Sequence, residues 1–165
     1  MSHQLLRTTP RRGASLALLG AALALAGCTG VGTKLQPPAA SIQQLTVQSD
    51  GTWATLVRIQ NNSYDTGMHV HAIDLNLSLN GKPAGHIAVS LSLDIPAMDA
   101  DVAASTFKPD ASGVSALGAA RPNAIAYELK GTLSVGKDSK GKAQSFPVDD
   151  KGFISPVPGV SNIWR

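Results

Sequence analysis

Between Ile73 and Ile95 the chain alternates apolar and polar residues along two runs joined by a turn signal. Ile73, Leu75, Leu77 and Leu79 are interleaved with Asp74, Asn76, Ser78 and Asn80. After Gly81-Lys82-Pro83 the pattern returns as Ile87, Val89, Leu91, Leu93 and Ile95, interleaved with Ala88, Ser90, Ser92 and Asp94. A period of two sends the apolar set to one face of a strand and the polar set to the other. Asn-Gly supplies positive φ for a turn, and proline lacks the donor that a ladder needs. A loop over residues 80–84 would pair Leu79 with Gly85, Leu77 with Ile87, Leu75 with Val89 and Ile73 with Leu91, and would set His86 beside Ser78. A slip by one residue would oppose apolar and polar side chains, so the faces are strongly specified. A lone hairpin is marginal in water, and its apolar face requires a second layer.

The other segments supply that layer. Ile42, Leu45 and Val47 suggest a first strand with irregular alternation. Trp53, Thr55, Val57 and Ile59 share one face of a second strand, which Asn61-Asn62-Ser63-Tyr64-Asp65 ends. Pro96-Ala97-Met98 breaks the central hairpin, and Val102 to Phe107 is a weak strand. Residues 110–123 admit one helical turn through Val114 and Leu117, which Gly113 and Gly118 weaken. Ile125, Tyr127, Leu129, Leu133 and Val135 alternate again, with Gly131 marking a bulge or a close approach. Residues 137–142 read as a hairpin loop, after which 145–148 pair back and 153–155 close the sheet. Short strands with regular turns predict an all-β, antiparallel, immunoglobulin-like or fibronectin-type III-like sandwich, with at most one short helix.

Composition excludes several alternatives. Of 165 residues 43% are apolar and 15% charged, which is not the profile of a disordered chain. The net charge of +3 could suggest nucleic acid as a partner. Without Arg7, Arg11 and Arg12, however, eleven basic residues face eleven acidic ones, and the remainder is neutral. No basic patch for nucleic acid is expected on the folded part.

Those three arginines introduce an address. Residues 14–27 are Ala, Leu, Gly and one Ser, ending Leu25-Ala26-Gly27 before Cys28. This is the layout of a secretory signal, and its apolar run is short for a membrane span. Leu-Ala-Gly-Cys resembles the bacterial lipobox. The resemblance implies cleavage before Cys28, a diacylglyceryl thioether on its sulfur, and acylation of the new amine. Several acyl chains hold a protein on a membrane where one is marginal. Cys28 is the only cysteine, so no intrachain disulfide is available. Thr29 stands where an Asp would resemble an inner-membrane retention signal. That points to the outer membrane, facing the periplasm. The expected organisation is a signal peptide over 1–27, a lipid-anchored tether over 28–40, a sandwich over 41–157 and a tail over 158–165.

The order of strands and turns also resembles a family. The markers are Leu56-x-x-Ile59-x-Asn61-Asn62, then Leu79-Asn80-Gly81-Lys82-Pro83-Ala84 and Ile95-Pro96-Ala97. They continue with Tyr127-x-Leu129-x-Gly131-x-Leu133-x-Val135, and with Phe146-Pro147 before Gly152. This series resembles group 2 late-embryogenesis-abundant proteins, the water stress and hypersensitive response domain, over residues 41–157. The family often carries Asn-Pro-Asn where this chain has Asn61-Asn62-Ser63. The resemblance implies a sandwich linked to desiccation or stress, and it brings no catalytic residues.

Candidate chemistry is thin. His69 and His71 could present two imidazoles from one strand, but no Cys, Glu or third His lies nearby in sequence. They are read as solvated histidines at a strand start, with no metal or cofactor. Asp99, Asp101, Asp149 and Asp150 are read as solvated turn acids. No phosphate loop or hydrolase motif is present, and the chain is not expected to be an enzyme. Trp53 and Tyr127 are expected in the core, with the Tyr127 hydroxyl reaching a partner; Trp164 is expected to pack back. Two functions fit: a protective or binding module held at the envelope by Cys28, or an assembly lipoprotein that offers a sheet edge to another envelope protein.

Overall fold

A computed structural model describes residues 34–165. Its elements are β1 (Ala39–Val47), β2 (Trp53–Gln60), β3 (Met68–Leu79), β4 (Lys82–Ile95), β5 (Ala100–Phe107), α1 (Ala111–Ala120), β6 (Ile125–Gly136), β7 (Gln144–Ile154) and β8 (Ile163–Trp164). Two four-stranded antiparallel sheets, ordered β5-β2-β1-β8 and β4-β3-β6-β7, enclose one apolar core. This is the all-β sandwich that the alternation predicts. The lipidation candidate Cys28 lies outside the described residues.

The alternating side chains point where their period sends them. Trp53, Thr55, Val57 and Ile59 are all buried, as are Ile125, Tyr127, Leu129, Leu133 and Val135. The irregular spacing of Ile42 and Leu45 has a local cause. Gln43 is an extra residue between the pairs Ile42–Val57 and Gln44–Leu56, and this bulge returns Leu45 to the core. A further irregularity surrounds His71. It lies between paired Val70 and Ala72, so the inward set passes from Val70 to Ile73.

The central hairpin keeps its predicted faces but not its predicted register. Leu77 pairs with Gly85, Leu75 with Ile87 and Ile73 with Val89, and His86 lies opposite Asn76, not Ser78. The loop is Asn80-Gly81 alone, with φ of 48° and 74°, and Leu79 pairs directly with Lys82. Two residues of positive φ match the twist of a hairpin, so the five-residue loop is unnecessary. Pro83 stays in the ladder opposite Ser78, and Ala84 forms a bulge before Gly85. The shift is even, so each side chain keeps its face.

Other boundaries move as well. The helical segment is 10 residues long, nearly three turns rather than one. It docks through Gly113, Ala116 and Leu117, while Val114 is exposed. A Cβ on Gly113 would lie 2.4 Å from the Ala84 Cα, so the glycine that lowers helix propensity permits the docking. Gly131 is likewise a close approach. A Cβ there would lie 2.0 Å from the Asp74 carbonyl oxygen, and the ladder has no bulge at this point. The two segments expected over 145–148 and 153–155 are one continuous β7.

The ends are docked. Leu35 is buried, and the Gln36 amide donates to Ser63 Oγ at 3.0 Å. The expected tether over 28–40 is therefore held to the domain from Leu35 onward. The expected tail over 158–165 contributes β8, which pairs with β1 and buries Trp164 completely.

Candidate functional site

The residues singled out for chemistry are mostly held by the fold. His69 is buried, a correction to its reading as solvated, and its Nδ1 lies 2.6 Å from Asp94 Oδ1 on the neighbouring strand. The irregularity at His71 brings the two rings to 4.8 Å between centroids. His71 Nε2 is shielded and has no hydrogen-bond partner. Among the described residues, no group of three or more His, Cys, Asp or Glu is arranged to hold a metal ion. His86 is paired at 2.8 Å with Asp74 on the outer face.

Asp149 and Asp150 lie within β7, not in a turn, which corrects that reading. Asp150 points inward and accepts a 2.8 Å hydrogen bond from the Tyr127 hydroxyl. Burial, reinforced by this carboxylate, pushes the Tyr127 phenol up to about 12. Gly152 opposes Tyr127 in the ladder, and a Cβ there would lie 2.7 Å from the ring. On the outer face Glu128 accepts from Lys130 at 2.7 Å and Lys151 at 2.9 Å. These two ammonium groups lower the Glu128 carboxyl, and Glu128 in turn raises Lys130.

Asn61 organises one end of the sandwich. It is fully buried, its amide nitrogen reaches the carbonyls of Thr66, Ile95 and Pro96, and its Oδ1 accepts the Ser63 amide. The run Asn61-Asn62-Ser63 is thus a structural joint. At the other end a groove of about 530 Å³ is lined by Arg121, Pro122 and residues 156–161. Its cation is engaged within the protein. Arg121 donates to the Ser161 carbonyl, and its guanidinium lies 5.2 Å from the centre of the Trp164 ring.

The site with the most unused capacity is a sheet edge. β4 ends its sheet, and β5, which packs beside it, ends the other. Along β4 the inward Ile87 and Ile95 are buried, but Val89, Leu91 and Leu93 between them are only half-buried. The inward side of β5 there is small, with Ala103 and Ser105 before Phe107. The outward side chains Ala88, Ser90 and Ser92 are exposed and uncharged. Sequence alone does not distinguish this edge from a central strand, because alternation is common to both.

No family model matches this chain, and no curated protein sequence does. Among solved structures it is similar to a protein of Arabidopsis thaliana determined in solution, with 16% identity, 78% of this chain and 89% of that one covered, and a TM-score of 0.48. It is also similar to a protein of Archaeoglobus fulgidus determined by crystallography. Identity there is 13%, coverage 75% and 98%, and the TM-score 0.38.

Proposed function

We propose that this chain is a non-enzymatic envelope protein, lipid-anchored at Cys28, whose sandwich has a protective or binding role under water stress. The observation that supports it most is a domain that holds buried Asn61 and surface Glu128 through bonds of its own, a few residues after Leu25-Ala26-Gly27-Cys28. Such a domain keeps its hydrogen bonds when water is withdrawn. Its outer face, with Asp74, Asn76, Thr132 and Lys130, offers hydration without a dominant charge. The chain from Cys28 to the docked Leu35 spans at most about 25 Å when extended, so the domain acts close to the lipid surface. Deleting the gene should lower survival after drying or osmotic shock, and the Cys28→Ser form should rescue less well than the parent. Equal survival of deletion and parent strains would reject the protective role. An unmodified Cys28 in the native protein, by mass spectrometry, would reject the anchor.

A second reading, a structural or assembly lipoprotein that engages another chain by strand addition, is favoured by one observation. The apolar inner side of β4 is left half-covered at an open edge.

A further inference from the structure

We infer that the end of the sandwich where the chain enters is a lipid-contact face, with Tyr64 and Met98 seated in the headgroup layer of the membrane that holds Cys28. The inference rests on the anchor reading and names the surface that meets the lipid. Several segments converge at this end. β2 ends here, and the buried Asn61 that follows it donates to the Thr66, Ile95 and Pro96 carbonyls, which ties residues 61–67 to the turn after β4. The entering chain is fastened to the same loop. The Gln36 amide donates to Ser63 Oγ at 3.0 Å, and Asn62 Nδ2 donates to the Pro37 carbonyl at 2.9 Å. The Met98 amide in turn donates to the Ser63 carbonyl at 3.1 Å. Tyr64 and Met98 thus share the end from which the chain leaves for Cys28, and they are 86% and 57% exposed.

Length decides which end faces the lipid. From Cys28 to the docked Leu35 the chain reaches at most about 25 Å. The 12 residues of β3 run from this end to the Asn80-Gly81 turn and span about 36 Å. So short a lead cannot let the domain stand on its far end, whereas the near end is within reach. The exposed side chains agree. Among the described residues, Val114, Phe153 and Val160 are the other large apolar side chains left exposed, and they lie toward the far end, on α1, at the end of β7 and in the segment before β8. Tyrosine suits the boundary between water and lipid, with an apolar ring and a polar tip. Met98 has a φ of 57°, a left-handed conformation that glycine adopts with less strain. The turn nevertheless carries a long, adaptable apolar side chain directed to the outside. Charge at this end is mixed: Lys34 and the three lysines of residues 137–142 share it with Asp65, Asp99, Asp101 and Asp138. The contact is therefore assigned to the apolar side chains and not to attraction by anionic lipid.

The test uses the full chain, purified from membranes and placed in phosphatidylcholine vesicles, with acylation of Cys28 checked by mass. A lipidated Cys28 has no free thiol, so an environment-sensitive fluorophore can be set at Tyr64→Cys, at Met98→Cys or, as the far-end control, at Phe153→Cys. In variants that retain the parent circular dichroism, phosphatidylcholine brominated on its acyl chains should quench the first two labels and leave the third bright. The loss of emission should be the same in low and high salt, because no exposed charge carries the contact. Equal quenching at all three positions, or none at any, in the acylated protein would overturn the lipid face and leave the anchor standing. Quenching that disappears in high salt would overturn its apolar basis. An unmodified Cys28 would overturn the anchor and this face together. In intact cells, a photoreactive benzoylphenylalanine in place of Tyr64 should give no protein adduct. A covalent adduct with another protein, or with a second copy of this chain, would overturn lipid as the occupant.

Discussion

The two outer strands of one sheet, β4 and β7, are finished in opposite ways. β7 carries Pro147 within the strand, Asp149 and Lys151 on its outward side, and a Lys151–Glu128 ion pair to its neighbour. Proline is tolerated in an edge strand where the missing N–H faces away from the partner, and charge discourages a further strand. Its inward Val148 and Ile154 are buried, and Asp150 is held by Tyr127. β4 has uncharged Ala88, Ser90 and Ser92 outward, and half-covered Val89, Leu91 and Leu93 inward. One edge carries proline and charge along its length, whereas the other carries neither between Ile87 and Leu93 but is bulged at Leu91-Ser92 opposite His71. Two edges of one sheet can therefore differ in the residues that discourage a further strand.

Three measurements on the isolated full chain break or sharpen this contrast. The largest effect is expected from truncating the inward side chains. Ile154→Ala on β7 should cost about 2–5 kcal/mol in denaturant unfolding. Leu91→Ala on β4, already half in solvent, should cost about 1 kcal/mol. Equal costs would mean that both edges are equally covered.

Tyr127→Phe comes next, because it removes the hydrogen bond that holds Asp150 inside β7. A loss of about 1.5 kcal/mol is expected at neutral pH, as for a bond to a charged acceptor. The phenol also predicts an alkaline limb. Its folded value is about 12 and its ordinary value 10, so between these the unfolded chain has released a proton that the folded chain retains. Stability is whole below pH 10 and falls through this window, by about 1 kcal/mol after allowance for solvent near the edge. Tyr127→Phe should flatten that limb, and an unchanged pH profile would refute the assignment.

The smallest effect is Glu128→Gln, which releases Lys130 and Lys151 on the surface. Because Glu128 is lowered by those lysines, its contribution is present above its ordinary value of 4.5 and is lost as pH falls through the folded value. Salt should erase the difference between Glu128→Gln and the parent. A difference that persists in high salt would show that the pair is not a surface interaction.

The strands were largely legible before their arrangement was. Trp53 to Ile59 and Ile125 to Val135 announce their inward faces through alternation, and burial follows it residue by residue. The hairpin shows the limit of this signal. Alternation specifies register only to an even number of residues, and a two-residue Asn80-Gly81 turn with a bulge at Ala84 satisfies the same faces as a five-residue loop. The full helix is not legible in the sequence because Gly113 has low propensity, whereas docking against Ala84 rewards its lack of a side chain. The burial of His69 is not legible in the sequence because its partner Asp94 lies 25 residues away, across the hairpin.

Determined by the sequence alone were the class of fold, the faces of the regularly alternating strands and the site of the Asn80-Gly81 turn. These follow from local chemistry: side-chain period, backbone preference and the polarity of short runs. Tertiary structure alone decided that β3 lies between β4 and β6, that Trp164 returns to pair beside β1, and that β4 is an edge with an incomplete inner cover. Those outcomes depend on pairings between distant segments, and an isolated alternating strand is equally compatible with a neighbour on one side or on both.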